Sequence, residues 1–184
     1  MGARLLALFL LVVSPSVGAQ TSPAPSAVPS AAPTNATYEQ GLKAYLEGDH
    51  AAAWFAWLGL AEAGQAEAQF SMGHLYRAGE GVPRDPAIAA DWFARAAAQG
   101  HGHAMLNLAL MHEQGVGVPS DPALAYAYAA RAGRLLEGEN FERARSAAAR
   151  IALGLQPSDA ERARRLLIEM DRRQPLPARS AVRR

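Results

Sequence analysis

Cysteine is absent from the 184 residues. Disulfides, thiolate zinc sites and thiol catalysis are excluded together by that absence. Aromatic residues make up only 7% of the chain and the formal net charge is +1, so the charge total gives no argument for nucleic acid, and no nucleic-acid partner is expected. The apolar run from Leu5 to Val13 falls well short of the ~18 residues that a membrane span requires. What the sequence has in quantity is alanine, which dominates the apolar half of the composition. Alanine favours helices and is a poor strand former. At this length there is room for one domain with tails.

The first residues, MGARLLALFLLVVSPSVGAQ, combine a basic Arg4, the short apolar run, and small residues at Val17-Gly18-Ala19. That is the pattern of an export signal cut after Ala19, which makes a periplasmic or secreted protein beginning at Gln20 the expectation. No cysteine follows the run, so no lipid-anchored form is expected. Residues 20–37, QTSPAPSAVPSAAPTNAT, contain nothing large enough to bury and predict a solvated linker. The Asn35-Ala36-Thr37 sequon within it is short and frequent by chance.

From Gly79 the chain reads GEGVPRDPAIAADWF, and from Gly115 it reads GVGVPSDPALAYAY. Gly79, Gly81, Pro83 and Asp85 fall on Gly115, Gly117, Pro119 and Asp121, while Gly73 falls on Ala109 and Trp92 on Tyr128. Self-similarity at a fixed period marks a repeat architecture. Apolar positions before and after this passage recur every three to four residues, which is helical. Gly79 and Gly115 suit left-handed caps at helix C-termini, and Pro83 and Pro119 hold the turn extended. Asp85 and Asp121 cap the next helix, with Pro86 and Pro122 at its first position. Small residues at Gly73 and Ala109 let paired helices approach, and Trp92 fills the space beside them. Each unit is therefore helix, turn, antiparallel helix, and one unit cannot bury its apolar face alone.

The stretch AEAQFSMGHLYRAGEGVPRDPAIAADWFARAAAQG resembles the consensus of the SEL-one-like repeats, close cousins of tetratricopeptide repeats. The resemblance is dense over 66–101, good over 102–133, and partial over 38–65, where Gly48-Asp49 replaces the longer turn. It implies an all-α fold: a short right-handed α-solenoid of antiparallel helix pairs, about three repeats long. Two capping helices over 134–174 are expected to close it, followed by a disordered tail over 175–184. In the first of these helices, Phe141, Ala144, Ala148 and Ile151 mark one face. In the last, Ser158 and Glu161 form a capping-box pattern, with Ala163, Leu166, Leu167 and Met170 inward. The resemblance also implies a scaffold or adaptor that binds a protein or peptide partner in the groove of the first helices. For an exported bacterial member, envelope assembly, secretion or control of signalling proteins are the processes implied. By the repeat geometry the candidate groove residues are Gln69, His74, Arg77, Met105, Asn107 and Glu113.

Motifs that would carry catalysis are missing. Gly79-Glu80-Gly81 lacks the third glycine and the preceding strand of a nucleotide loop, and neither a nucleophile elbow nor HExxH occurs. No enzyme activity and no cofactor are expected, and a cell-wall enzyme stands as a remote alternative. His101 and His103 flank Gly102, with His74 and His112 on neighbouring helices. Imidazoles at such spacing bind transition metals elsewhere. Here no carboxylate or thiolate completes the set, and His112 takes the slot of Tyr76, so no metal site is assigned.

Charge is unevenly placed. Residues 20–130 hold four basic and ten acidic side chains, and residues 131–184 hold thirteen basic and seven acidic. Solvated helices laced with pairs such as Glu161 to Arg165 account for this. The alternative is a basic end that binds an anionic envelope surface, lipid or lipopolysaccharide.

Overall fold

The computed structural model of the chain describes residues 37–176. Residues 1–19, where an export signal is expected, the Pro/Ala/Ser segment up to Ala36 and the tail from Pro177 lie outside the described residues. Thr37, placed in the linker by composition, is the N-cap of the first helix: its hydroxyl accepts from the Gln40 N–H, and the Gln40 side chain returns a bond to the Thr37 N–H. The chain then runs through α1 (Tyr38–Leu46), α2 (His50–Glu62), α3 (Ala66–Ala78), α4 (Pro86–Ala97), α5 (Gly102–Gln114), α6 (Pro122–Leu135), α7 (Gly138–Gly154) and α8 (Pro157–Arg173). There is no strand among the described residues. The architecture is an all-α right-handed solenoid in which each helix from α2 to α7 packs against the one before it. The odd-numbered helices form one layer, and α2, α4 and α6 form the other.

The repeated turn is explained by its hydrogen bonds and one steric constraint. Gly79 and Gly115 cap α3 and α5 in the left-handed conformation, at φ 81° and 68°. The Asp85 N–H then donates to the Tyr76 carbonyl, and the Asp121 N–H to that of His112. Asp85 accepts from the Ala87 and Ile88 N–H groups, and Asp121 from that of Leu124, which satisfies the open ends of α4 and α6. The second glycine meets the neighbouring unit. A Cβ on Gly81 would lie 2.5 Å from the backbone carbon of His50, and one on Gly117 would lie 2.3 Å from the Pro86 carbonyl oxygen. Both have φ above +70°, so two independent reasons demand glycine. The turn is thus also the joint between repeats.

Helix pairing depends on a small residue opposite a large one. In the first unit a Cβ on Gly41 would lie 2.3 Å from Trp57 Nε1, and in the second a Cβ on Gly73 would lie 2.6 Å from the Phe93 ring. Trp57 and Phe93 are both buried and are equivalent positions of successive repeats. In the third unit the equivalent positions are Ala109 and Ala129, both small and both buried, so the pairing there is made without a large ring and the core is mostly alanine. Trp92 is only half-buried, with the Arg95 guanidinium 4.5 Å above its ring.

The C-terminal helices depart from the repeat. α7 packs on α6 as the next first helix would, and Ala144, Ala147 and Ile151 are its buried residues, with Phe141 and Ala148 at the edge. α8 does not pair with α7. It lies along α6 in the same direction, because Arg162 near its start reaches Asp121 before α6, and Asp171 near its end reaches Arg131 and Arg134. Ala163 is its one buried residue, and Leu166, Leu167 and Met170 are half-buried. The capping box expected of Ser158 and Glu161 does not form. Helical geometry begins at Pro157, so Ser158 already lies inside the first turn, and the N-cap is Gln156 without a side-chain bond.

Candidate functional site

Three residues of α1, at positions i, i+4 and i+7, turn one face toward α3: Tyr38, Leu42 and Tyr45. With Trp57, Phe70 and His74 they line a cleft of about 190 Å³ on the odd-helix face. Its walls are fixed by their own contacts. Tyr38 stacks on Trp57 with ring centroids 5.6 Å apart, and Tyr45 tilts against it at 5.9 Å. The Trp57 indole N–H donates to the Tyr38 carbonyl over 3.1 Å, and the Tyr38 hydroxyl shares a 3.1 Å hydrogen bond with Ser71. Phe70 is held from behind by Phe93 and by the His101 ring, stacked 4.6 Å away.

The rim of this cleft is polar. The Tyr45 hydroxyl donates to Glu80 Oε2 over 3.0 Å, and His74 Nδ1 lies 3.8 Å from the same oxygen. Burial pushes the Tyr45 phenol up, and the Glu80 carboxylate adds to the effect. Burial pushes the His74 imidazole below its ordinary value, and the nearby Arg77 cation pushes the same way against the opposing pull of Glu80. At neutral pH the rim therefore carries a neutral imidazole and one engaged carboxylate.

A second, larger opening of about 390 Å³ lies between α3 and α5. Arg77, Arg84, Asn107 and Gln114 line it, over Leu110 and Val116. Between α5 and α7 a third opening of about 370 Å³ has Leu106 and Leu110 on one wall and Arg143 and Arg150 on the other. There Arg150 donates two hydrogen bonds to Glu113, at 2.9 and 2.6 Å, which holds the Arg150 cation still further up.

The six groove candidates separate into four groups. His74 lines the aromatic cleft, and Arg77 and Asn107 are brought together in the second one. Glu113 is engaged by Arg150. Gln69 and Met105 are not presented to a partner. Gln69 is 5% exposed, donates to the Ala61 carbonyl at the end of α2 and accepts from Gln99, so it ties α3 to the end of α2 and to the turn after α4. Met105 is 2% exposed and belongs to the core. Tyr38, Leu42, Tyr45 and Phe70 went unrecognised in the sequence, although the spacing of the first three on α1 carries the signal.

The histidines do not converge. His101 Nδ1 accepts from the Ala104 N–H over 3.2 Å and so caps α5, and His112 stacks flat against Tyr128 with centroids 6.0 Å apart. Among the described residues no three His, Asp or Glu side chains meet around one point that would hold a metal. No described helix is long and apolar enough to cross a membrane.

Comparison with known proteins agrees with this geometry. The Sel1 repeat family model matches residues 66–101 and 102–135. A Sel1 repeat protein from Oxalobacter formigenes is similar in structure, with 30% identity and a TM-score of 0.52 over 59% of this chain and 85% of that one. So is c5321, described as a protective antigen present in uropathogenic Escherichia coli strains and displaying an SLR fold, with 25% identity and a TM-score of 0.67. That match covers 80% of this chain, which spans only 33% of the length of c5321. No curated protein matches the sequence. With the repeated turn, the small-to-large pairing and these likenesses together, the chain belongs to the Sel1 repeat family.

Proposed function

We propose that this chain is a non-catalytic scaffold of the cell envelope that holds a segment of a partner protein along its odd-helix face. The observation that carries the reading is the aromatic cleft. Tyr38, Tyr45 and Phe70 are only partly covered, yet they are locked in place around an opening the size of one side chain. Rigid, half-exposed aromatics of this kind are the usual anchors of protein recognition. Sel1 repeat proteins are in general protein-interaction scaffolds, and the export pattern of residues 1–19 supports an envelope location.

The two other readings have less support. Of the ten arginines between 131 and 176, only Arg143, Arg164 and Arg172 lack a carboxylate partner within 4.0 Å among the described residues, so much of the described basic end is engaged within the fold. For catalysis, the Ser71 hydroxyl facing the cleft bonds the Tyr38 phenol, not an imidazole base.

Photo-crosslinking in cells tests the proposal. A photoreactive residue at Leu42 or Gln114, on the odd-helix face, is expected to capture one dominant envelope protein, identified by mass spectrometry. The same residue at Asp91 or Ala98, exposed on and just after α4, is expected to capture none. Capture only from α4, or turnover of a cell-wall substrate by the purified protein, would overturn it.

A further inference from the structure

Four cations are found between Thr37 and Ala130, against ten acidic residues. Lys43 pairs with Glu47 on its own helix, and Arg95 lies over the Trp92 ring. The remaining two, Arg77 and Arg84, have no carboxylate within 4.0 Å among the described residues, and both line the opening between α3 and α5. The Arg84 side chain is held to the backbone of Arg77, because its Nε donates to the Arg77 carbonyl over 3.1 Å, and its two terminal nitrogens have no hydrogen-bond partner among the described residues. Both side chains are exposed, so water screens their mutual repulsion, and two cations at one opening offer an anion two charged donors at once. The field of Arg77 is felt as far as His74, whose imidazole it helps to hold neutral.

The next joint of the solenoid shows what such a site takes. Arg77, in the last turn of α3, corresponds to Glu113 in the last turn of α5. At that joint the carboxylate is internal, and the Arg150 fork grips it with two hydrogen bonds. At the α3–α5 joint the guanidiniums are present and the carboxylate is missing.

We propose that the Arg77–Arg84 opening is a carboxylate-binding subsite, which receives an Asp or Glu side chain or the terminal carboxylate of a partner segment. Asn107 and Gln114 flank the site with amide groups, and Leu110 and Val116 supply apolar walls. The acidic surroundings select a single carboxylate within an otherwise uncharged, apolar segment over a polyanion, which the ten acidic residues would repel. The inference rests on the scaffold reading in one respect: the aromatic cleft, on the other side of α3, takes the apolar anchor of the same segment. The two openings flank one helix, so their separation is on the order of 10 Å, about three residues of extended chain.

Two measurements on the purified protein keep the two ideas apart. The first titrates sodium benzoate, with benzamide as the uncharged control, and follows the arginine Nε–H signals by NMR. Saturable shifts at Arg77 and Arg84 with benzoate alone, absent in Arg77→Gln/Arg84→Gln, are expected. Equal shifts with both compounds, or none at these two residues, would overturn the subsite. The second uses fluorescent acetyl-Trp-(Gly)n-Glu-amide peptides, with n from one to four, and their Gln counterparts. Preference for Glu over Gln by about tenfold, lost in the double arginine variant, is expected. Equal affinity for the Glu and Gln forms would contradict the subsite. If benzoate binds selectively but no peptide does, the carboxylate subsite stands and its link to the aromatic cleft fails. If a phosphopeptide or anionic vesicle outcompetes benzoate by orders of magnitude, the proposed class of ligand is wrong.

Discussion

The first hairpin, α1 with α2, and the last two helices, α7 and α8, are both ends of the same solenoid, yet they are held by different forces. The first is closed by aromatic packing: Trp57 sits against the bare backbone of Gly41 and stacks with Tyr38, and both tyrosines on α1 remain half-open to the outside. The last helix is closed by guanidinium contacts. Arg131, 1% exposed, donates to Asp171 and to the Gln174 carbonyl, while its Nε lacks a partner. Arg134 joins the same carboxylate at 2.7 Å, and Arg162 grips Asp121 at 2.9 and 2.7 Å. A terminal repeat must either cover its apolar face or present it. The C-terminal end covers it with α8, whereas the first hairpin leaves a shaped apolar opening. That difference is why we place recognition at the first and support at the second.

Substitutions should separate the two ends, and the largest effect belongs to the aromatic one. Trp57→Ala removes the filling of the first hairpin and is expected to lower stability by about 4 kcal/mol in urea unfolding. Asp171→Ala leaves the buried Arg131 without its carboxylate and should lower stability by about 3 kcal/mol. Hydrogen exchange should confine that loss to α6 and α8, and loss of protection in α1 would show that the ends are not separate. Arg162→Gln removes an exposed pair and should change stability least of the three in urea unfolding, with less effect at high salt.

The pH response is expected between the last two in size. His101 caps α5 through Nδ1, and only a neutral imidazole can accept there. Burial first, and the neighbouring His103 second, hold His101 below its ordinary value of 6.5, against the pull of Glu67. His74 is depressed as well. The unfolded chain therefore binds protons more readily than the folded one in this range. Stability is fully present above about pH 6.5 and falls as the pH drops below it. Thermal melting from pH 7.5 to 5 should show the decline, and His101→Asn, which caps at any pH, should flatten it. An unchanged slope in that variant would remove His101 from the account.

Much of the fold could be read from the 36-residue recurrence, because glycine, proline and aspartate mark chain reversals by backbone conformation and capping, which are local. The side-chain placements were harder. Gln69 and Met105 are equivalent positions of successive repeats and both point inward. Ser71 and His74 of α3, and Asn107 and Leu110 of α5, line the openings. Residues two apart on a helix lie ~200° around its axis, so Met105 and Asn107 could not share a face. Counting along the helix from Asn107 would have found the correct side. The placement of α8 was illegible for a different reason. It is fixed by long arginine side chains, Arg131 and Arg134 reaching from α6 to Asp171 and Arg162 reaching from α8 to Asp121, and neither their partners nor their direction leaves a periodic trace in the sequence.

The most direct test compares capture of the partner from cells by two variants that fold with unchanged circular dichroism. Leu42→Glu places a charge in the aromatic cleft, and Arg164→Gln/Arg172→Gln removes two unpaired cations of α8. The account predicts that the first loses the partner and the second retains it. Retention by Leu42→Glu with loss in the arginine variant would contradict it and move recognition to the basic end.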